Sequence, residues 1–282
     1  MNGSGGRRTP GGRAAAAAGF YSRFPWWLAA LFGLGVVTIA GAVSDGGYRV
    51  IFKAVSSGLG VTLAVALIAY ACSVALGLAL GLLRVSAFRP AREAATFYVE
   101  LVRGLPMLVI LYYIAFVGAP ALAAGLNKIL APLIAAGVVA PMESRGFDFA
   151  TRAVLALTLG YAAFIAEIFR AGIESVDKGQ VEAAHALGLS NSQTMIRIVL
   201  PQAVRNVLPA LANEFVAVVK DSALVSVLGV QDITQLGKVY AASTFKFFET
   251  YNVVAFLYLC LTVSLSLLVR ALERRLQAGG SR

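Results

Sequence analysis

The chain has 282 residues, of which 59 % are apolar and only 13 % charged, whereas soluble domains run at roughly 45–50 % apolar and about 25 % charged. Its 24 Lys and Arg exceed its 14 Asp and Glu, but the cations punctuate apolar runs, which excludes the basic hydrophilic surface of a nucleic-acid binder. Cys72 and Cys260 lie inside apolar runs and His185 is the only histidine, so no disulfide or metal framework is implied.

The composition is that of an integral membrane protein. Residues 1–24, rich in Gly, Ala and Arg, read as a disordered basic tail. An additional N-terminal span is expected within 25–43, as Trp26–Val43, with Trp26 and Trp27 placed as an interfacial anchor. A basic lead, this apolar stretch and Ala40-Gly41-Ala42 also resemble a cleavable signal. A retained anchor is favoured, because a polytopic protein needs no cleavable signal. Leu59–Leu83 is a clean span, long enough against the roughly 20 residues a crossing helix needs. Within it, Gly77-Leu-Ala-Leu-Gly81 is a small-xxx-small pattern that lets helices approach closely. With 28 glycines in the chain, such spacings also arise by chance.

After the turn Arg103-Gly-Leu-Pro106 comes a span at Leu105–Leu126. Ile129–Pro141 is apolar but too short to cross, and reads as a re-entrant or interfacial segment. Ala153–Phe169 is the next span and contains Glu167. A weaker one, from about Val204 to Leu228, is interrupted by Arg205, Asn213, Glu214, Lys220 and Asp221. Asn252–Val269 is the last, before a tail at 273–282. The expected fold class is an all-α integral membrane protein with about six transmembrane helices. Loop Lys and Arg set orientation: 16 of the 24 fall on the tail, 84–103, 170–205 and C-terminal side, so both termini are expected in the cytoplasm.

The connection from Arg170 to Pro201 is far longer than two spans require. Lys178-Gly179 signals a turn, and Gln180–Leu187 reads as a short helix with Ala183, Ala184 and Leu187 as its apolar stripe. Gly188 is its stop. Ser190 and Gln193 make a capping box for a second helix, Asn191–Val199, which Pro201 either closes or follows as the start of the next span. Two short amphipathic helices with a glycine elbow suit either a groove on a partner protein or the lipid headgroups. Amphipathicity alone does not separate these readings.

The residues Glu182-Ala183-Ala184, Gly188, Ile198 and Leu200-Pro201 are similar, at every signature position, to the EAA motif of bacterial ABC importer permeases. Four further stretches resemble the polar amino acid permeases of the histidine/glutamine type: Gly60-Val-Thr-Leu63, Tyr98–Pro106, Ala166–Ile173 and Lys220–Gly229. The resemblance covers about Gly58 to Leu272, departing at Arg103-Gly-Leu-Pro106, where the family's usual turn is RGTP, and in the long 119–151 connection. It implies a five-span type I permease core at 58–272 plus the N-terminal span, in a bacterial cytoplasmic (inner) membrane. The loop 174–201 would be the coupling region that sits in a cleft of the ATPase.

The resemblance implies no chemistry and no cofactor on this chain. ATP and Mg would be bound by a separate ABC ATPase dimer, and the chain itself has no GxxxxGK[ST] loop. The other implied partners are a second permease subunit, an extracytoplasmic solute-binding protein and the lipid bilayer, with no nucleic acid. Glu182, Ala183, Ala184, Gly188, Ile198, Leu200 and Pro201 are the coupling candidates, while His185 would pack against the partner. Ionisable residues inside spans mark candidate substrate paths. Glu214 beside Asn213 could hold the ammonium or cationic side chain of an amino acid. Glu214 with Lys220 is the structural alternative, disfavoured by a spacing of six. Lys220-Asp221 reads as a local charge pair at a helix break, and Glu167 as an ion pair with Arg170 three residues on or as part of the path. Ser222 and Ser226 would line the path or satisfy backbone carbonyls. An ion-coupled secondary amino acid transporter is the alternative, but no repeat of two halves is visible, and one histidine poorly supports an intramembrane hydrolase.

Overall fold

A computed structural model describes residues 33, 35, 36, 40, 41, 46–142 and 147–279. The 1–24 tail and nearly all of the expected Trp26–Val43 span lie outside the described residues. The chain divides into two units, residues 1–49 and 50–282, and the packing below belongs to the second.

Every regular element among the described residues is helical. In chain order they are α1 Gly46–Ser56, α2 Leu59–Arg84 and α3 Arg89–Arg103, α4 Met107–Ile129, α5 Ala131–Ala135, α6 Phe149–Glu174, α7 Lys178–Ala186, α8 Asn191–Thr194, α9 Leu200–Asp221, α10 Ile233–Thr244 and α11 Phe247–Gly279. Four stretches among the described residues are long and apolar enough to cross a membrane: Gly46–Arg84, Met107–Ile129, Phe149–Glu174 and Phe247–Ala271. The expected span at 204–228 is not among them. Its helix, α9, gives way after Asp221 to a 3₁₀ turn, Ser222–Leu228, ended by Gly229 at φ +81°. Arg205, Glu214, Lys220 and Asp221 dilute the apolar run, and the turn shortens the continuous helix.

The centre of the unit is the pair α2 and α6. Thr62, Ala66, Ala69, Ser73, Gly77 and Gly81 bury one face of α2, against a face of α6 made largely of Ala153, Ala156, Gly160, Ala163 and Ala166. Lipid gives no hydrophobic drive for helices to associate, so close van der Waals packing of small residues carries the contact. The Gly77–Gly81 pattern is spent inside this chain. A Cβ on Gly77 would stand 2.6 Å from Ile165 Cγ2, and one on Gly81 2.8 Å from Phe169 Cβ and 3.0 Å from the Ala166 carbonyl. The Ser73 hydroxyl, fully buried, sits 2.7 Å from the Ala69 carbonyl and 3.2 Å from that of Thr158. Tyrosines fasten the next layer: Tyr70 donates to the Leu211 carbonyl of α9 at 2.8 Å, and Tyr98 to the Leu159 carbonyl of α6 at 2.7 Å.

Two π-helical turns interrupt the α pattern, at Ile114–Gly118 inside α4 and at Met195–Val199 between α8 and α9. Each is followed, two residues on, by a proline: Pro120 and Pro201. The Ala119 N–H reaches back five residues to the Ile114 carbonyl. The Ala115 carbonyl would then need the N–H of residue 120, which proline lacks. The Arg152 guanidinium takes its place, donating to the Ala115 carbonyl at 2.9 Å. At the second turn the Leu200 N–H reaches the Met195 carbonyl, and the Gln202 side chain adds a bond to the Ile198 carbonyl at 2.9 Å, which is not the carbonyl that Pro201 leaves open. Pro201 therefore closes nothing: helix runs unbroken from Asn191 through the π turn into α9. Of the two readings of Pro201, closing the second helix does not hold: it stands in the first turn of α9, the helix that carries the segment expected to span.

At the Asp232 end of α10, the first turns of α2 and α10 meet backbone to backbone. A Cβ on Gly58 would stand 2.6 Å from the Asp232 carbonyl carbon. Asp232, fully buried, caps α10 by accepting the Gln235 N–H at 2.8 Å and the Tyr258 hydroxyl at 3.1 Å. Thr62 Oγ1 accepts the Ile233 N–H at 3.2 Å.

Candidate functional site

Two places collect the residues that the sequence singles out. The first is the connection between α6 and α9. Asp177 caps α7 by accepting the Gln180 N–H at 3.2 Å, two residues earlier than the expected helix start. At the other end Gly188, at φ +83°, donates to His185 and the Leu189 N–H reaches back to Ala184. That pair of bonds is a Schellman stop. The Ser190–Gln193 capping box forms in both directions.

The expected apolar stripe divides. Ala184 turns inward and is buried, while Ala183 is exposed and Leu187 is 83 % exposed. Val181 and Met195 pack on Val176, Val199 and Ala203, joining the elbow to the ends of α6 and α9. Polar ties reinforce it: Gln202 to Gln180 at 2.6 Å and Asn206 to the Ser175 hydroxyl at 3.0 Å. Glu182, His185, Gly188 and Pro201 are exposed, and Ile198 and Leu200 half-buried. With Ile196, 65 % exposed, they present an outward surface.

The second place is a cavity of about 220 Å³ lined by Leu105, Met107, Tyr161, Phe164, Glu214, Ala217 and Asp221. Glu214, Ala217 and Asp221 share one face of α9 because they are three and seven residues apart. The Tyr161 hydroxyl donates to Asp221 Oδ2 at 2.8 Å. Both carboxylates reach the cavity, and its lining contains no Lys or Arg. Lys220 points away and is exposed. Among the described residues no ion pair joins it to Asp221 or to Glu214, so the expected Lys220-Asp221 pair is not formed. Adjacent helical residues point roughly 100° apart, which separates these two side chains. Asn213 is exposed, its amide donating to the Pro209 carbonyl at 3.0 Å, and does not line the cavity.

Glu167 does not line it either. Its carboxylate is held by Arg170 and, across 83 positions of sequence, by Arg84, with Arg103 at 3.8 Å. Arg84 reaches on to Glu100 at 3.5 Å, and Arg170 to Glu174. The network ties the basic ends of α2, α3 and α6 together. The spacing of Glu167 and Arg170 foretold their pair; the role of Arg84 had no local signal. Ser222 and Ser226 are buried, with the Ser222 hydroxyl bonded to the Val219 carbonyl at 2.8 Å, the backbone-satisfying alternative. Sequence reasoning missed Tyr161, Met107 and Phe164, apolar-span residues whose approach to α9 is purely tertiary.

Residues 73–278 match the family model described as binding-protein-dependent transport system inner membrane component. The chain is similar to the probable glutamine ABC transporter permease protein GlnM of Bacillus subtilis (strain 168), 38 % identical over 77 % of this chain and 90 % of that protein. It is similar also to the arginine transport system permease protein ArtQ of the same organism, 34 % identical over 78 % of this chain and 91 % of that one. Among solved structures, an amino acid ABC transporter crystallised with histidines matches at a TM-score of 0.67 and 35 % identity, over 83 % of this chain and 97 % of that one. The MetNI methionine ABC transporter, at 19 % identity and a TM-score of 0.62 over 79 % of this chain and 96 % of that one, shares the fold.

Proposed function

The chain belongs to the family of binding-protein-dependent transport system inner membrane components, and from that premise we propose that it is the transmembrane permease subunit of an ATP-driven importer for polar or charged amino acids. It does no covalent chemistry. ATP and Mg are bound by a partner ATPase dimer, a second permease chain completes the path, and an extracytoplasmic binding protein delivers the substrate. Both termini lie in the cytoplasm of a bacterial cell, on the side that carries the excess of loop cations.

The observation that carries the coupling assignment is the capped, outward-facing elbow of α7 and α8. A short helix stapled to two longer ones moves with them as a unit, so a displacement at Glu182–Gly188 reaches α6 and α9 undiminished. The ion-coupled alternative leaves this elbow without a role. On the substrate side, Glu214 and Asp221 face one cavity with no cation of the chain among its lining. A carboxylate pair in such a place favours a cationic guest; arginine, lysine and histidine are the preferred cargo class. Asn213, Lys220 and Glu167, which the cavity does not include, belong to the path outside it.

The test is reconstitution of the permease with its ATPase and binding protein. Gly188→Arg is expected to insert normally and to abolish uptake and substrate-stimulated ATP hydrolysis. Wild-type uptake by this variant would remove the elbow from coupling.

A further inference from the structure

The segment from Ile129 to Met142 is not used by anything described above. It contains α5 and the turn after it, and its sequence, ILAPLIAAGVVAPM, has neither a charged, a polar nor an aromatic side chain. Yet it is not a core element: α5 buries none of its residues. Ile129 is 75 % and Val138 71 % exposed, with Leu133, Val139 and Met142 exposed as well. We infer that residues 129–142 form a non-spanning insert seated in the boundary between lipid headgroups and acyl chains, at the end of the bundle remote from the α7–α8 elbow, and that the Asn127 side chain holds it folded there.

Three observations select lipid as the occupant. First, the surface is continuous with the exposed apolar side of α4, where Leu108, Val109, Tyr113, Phe116, Val117 and Leu122 stand outward. Lys128, exposed at the junction, sits where an ammonium reaches the headgroups. Second, the first turns of the segment satisfy their backbone from within, which lets them face acyl chains, while the irregular stretch after them keeps polar groups free to reach the headgroups at the boundary. Leu133 donates to Leu130, Ala136 to Pro132, Gly137 to Ile134 and Val138 to Leu133, all at 2.9–3.1 Å. The Asn127 amide then serves both backbone groups of Met142, donating to its carbonyl at 2.7 Å and accepting its N–H at 2.8 Å. Third, protein interfaces are anchored by aromatic residues and Arg, and the segment has none. Its length falls short of the roughly 20 residues that a crossing helix needs, so it enters one leaflet and returns.

The experiment uses the full chain with Trp26 and Trp27, its only tryptophans, replaced by Phe and a single reporter introduced as Val138→Trp, in vesicles of phosphatidylglycerol and phosphatidylethanolamine. Lipids brominated near the glycerol end of the acyl chain are expected to quench the reporter several-fold more than those brominated near the chain terminus, with little quenching by aqueous acrylamide. Adding Asn127→Ala is expected to raise acrylamide quenching at least twofold. Acrylamide quenching equal to that of Leu187→Trp, an exposed reporter at the C-cap of α7, would place the segment in water and overturn the inference. Protection from both quenchers, which a second permease copy or a binding protein would give, overturns it equally. As a check independent of the tryptophan background, Val138→Cys in a Cys72→Ser, Cys260→Ser chain should resist a membrane-impermeant maleimide until detergent is added. Labelling of intact vesicles from either face would also overturn it.

Discussion

Gly188 stands at φ +83° with open space around the position of its missing Cβ. The constraint there is conformational, since a left-handed residue with a Cβ is disfavoured by about 1–2 kcal/mol. Gly188→Asn, which tolerates that region better than Ala, should therefore retain more uptake than Gly188→Ala, and a reversed order in a transport assay would point to a contact of the glycine itself. The cavity carboxylates make a different prediction. Glu214→Gln and Asp221→Asn each remove one negative charge from the lining, so each should raise the KM for arginine or lysine in substrate-stimulated ATP hydrolysis while basal hydrolysis stays. An unchanged KM in both would remove the pair from substrate contact. Their two positions, with Ala217 between, could be read from the sequence as one helical face; Tyr161, which donates to Asp221, could not, because nothing in α6 announces which helix it meets.

Among elements, the α2–α6 contact rests on atoms that cannot yield. A side chain at position 81 meets the Phe169 Cβ and the Ala166 carbonyl at 3.0 Å or less, both set by the backbone of α6. Overpacking of this kind costs about 1–3 kcal/mol. Gly81→Leu should lower the thermal midpoint of the detergent-solubilised chain by several degrees, whereas Gly60→Leu, whose position meets nothing within 4 Å, should leave it within about a degree, since a shift of a few degrees corresponds to about 1 kcal/mol. The ion network makes a parallel contrast. The Arg84 side chain is 9 % exposed and bridges α2 to α6, while the Arg89–Glu93 pair at 3.9 Å is open to solvent. Arg84→Gln should destabilise the same preparation measurably and Arg89→Gln should not, since exposed pairs contribute only about 0–1 kcal/mol. The two π turns belong at this scale as well. Each precedes a proline by two residues, a spacing visible in the sequence once the missing N–H is followed, although the arginine that answers the carbonyl freed by Pro120 is found only in three dimensions.

For the whole molecule, the charge distribution is the property that matters. In the topology expected from the sequence, 16 of the 24 Lys and Arg share the side of the elbow, and among the described residues the basic ends of α2, α3 and α6 gather around Glu167. Orientation by loop cations then predicts that Leu187→Cys, in a background with Cys72 and Cys260 replaced by Ser, reacts with an impermeant maleimide in inside-out vesicles and not in intact cells. Labelling in intact cells would invert the proposed topology.

Membrane residence, the places of the long apolar helices and the capped elbow at 177–193 follow from local rules. Hydrophobic length, a glycine where the chain turns left-handed and a Ser-x-x-Gln box each act within a few residues, so they are legible without a neighbour. The segment expected to span at 204–228 is a weaker apolar run for an equally local reason: charges interrupt it, and its helix gives way to a 3₁₀ turn after Asp221. What needed the tertiary structure was partnership. Gly77 and Gly81 are used against α6, Glu167 belongs to Arg84 as much as to Arg170, and Tyr161 meets Asp221 across 60 residues. Such pairings depend on which helix faces which. In a bundle of similar apolar helices that choice is made by the shape of packed faces, summed over many weak contacts, and no single segment encodes it.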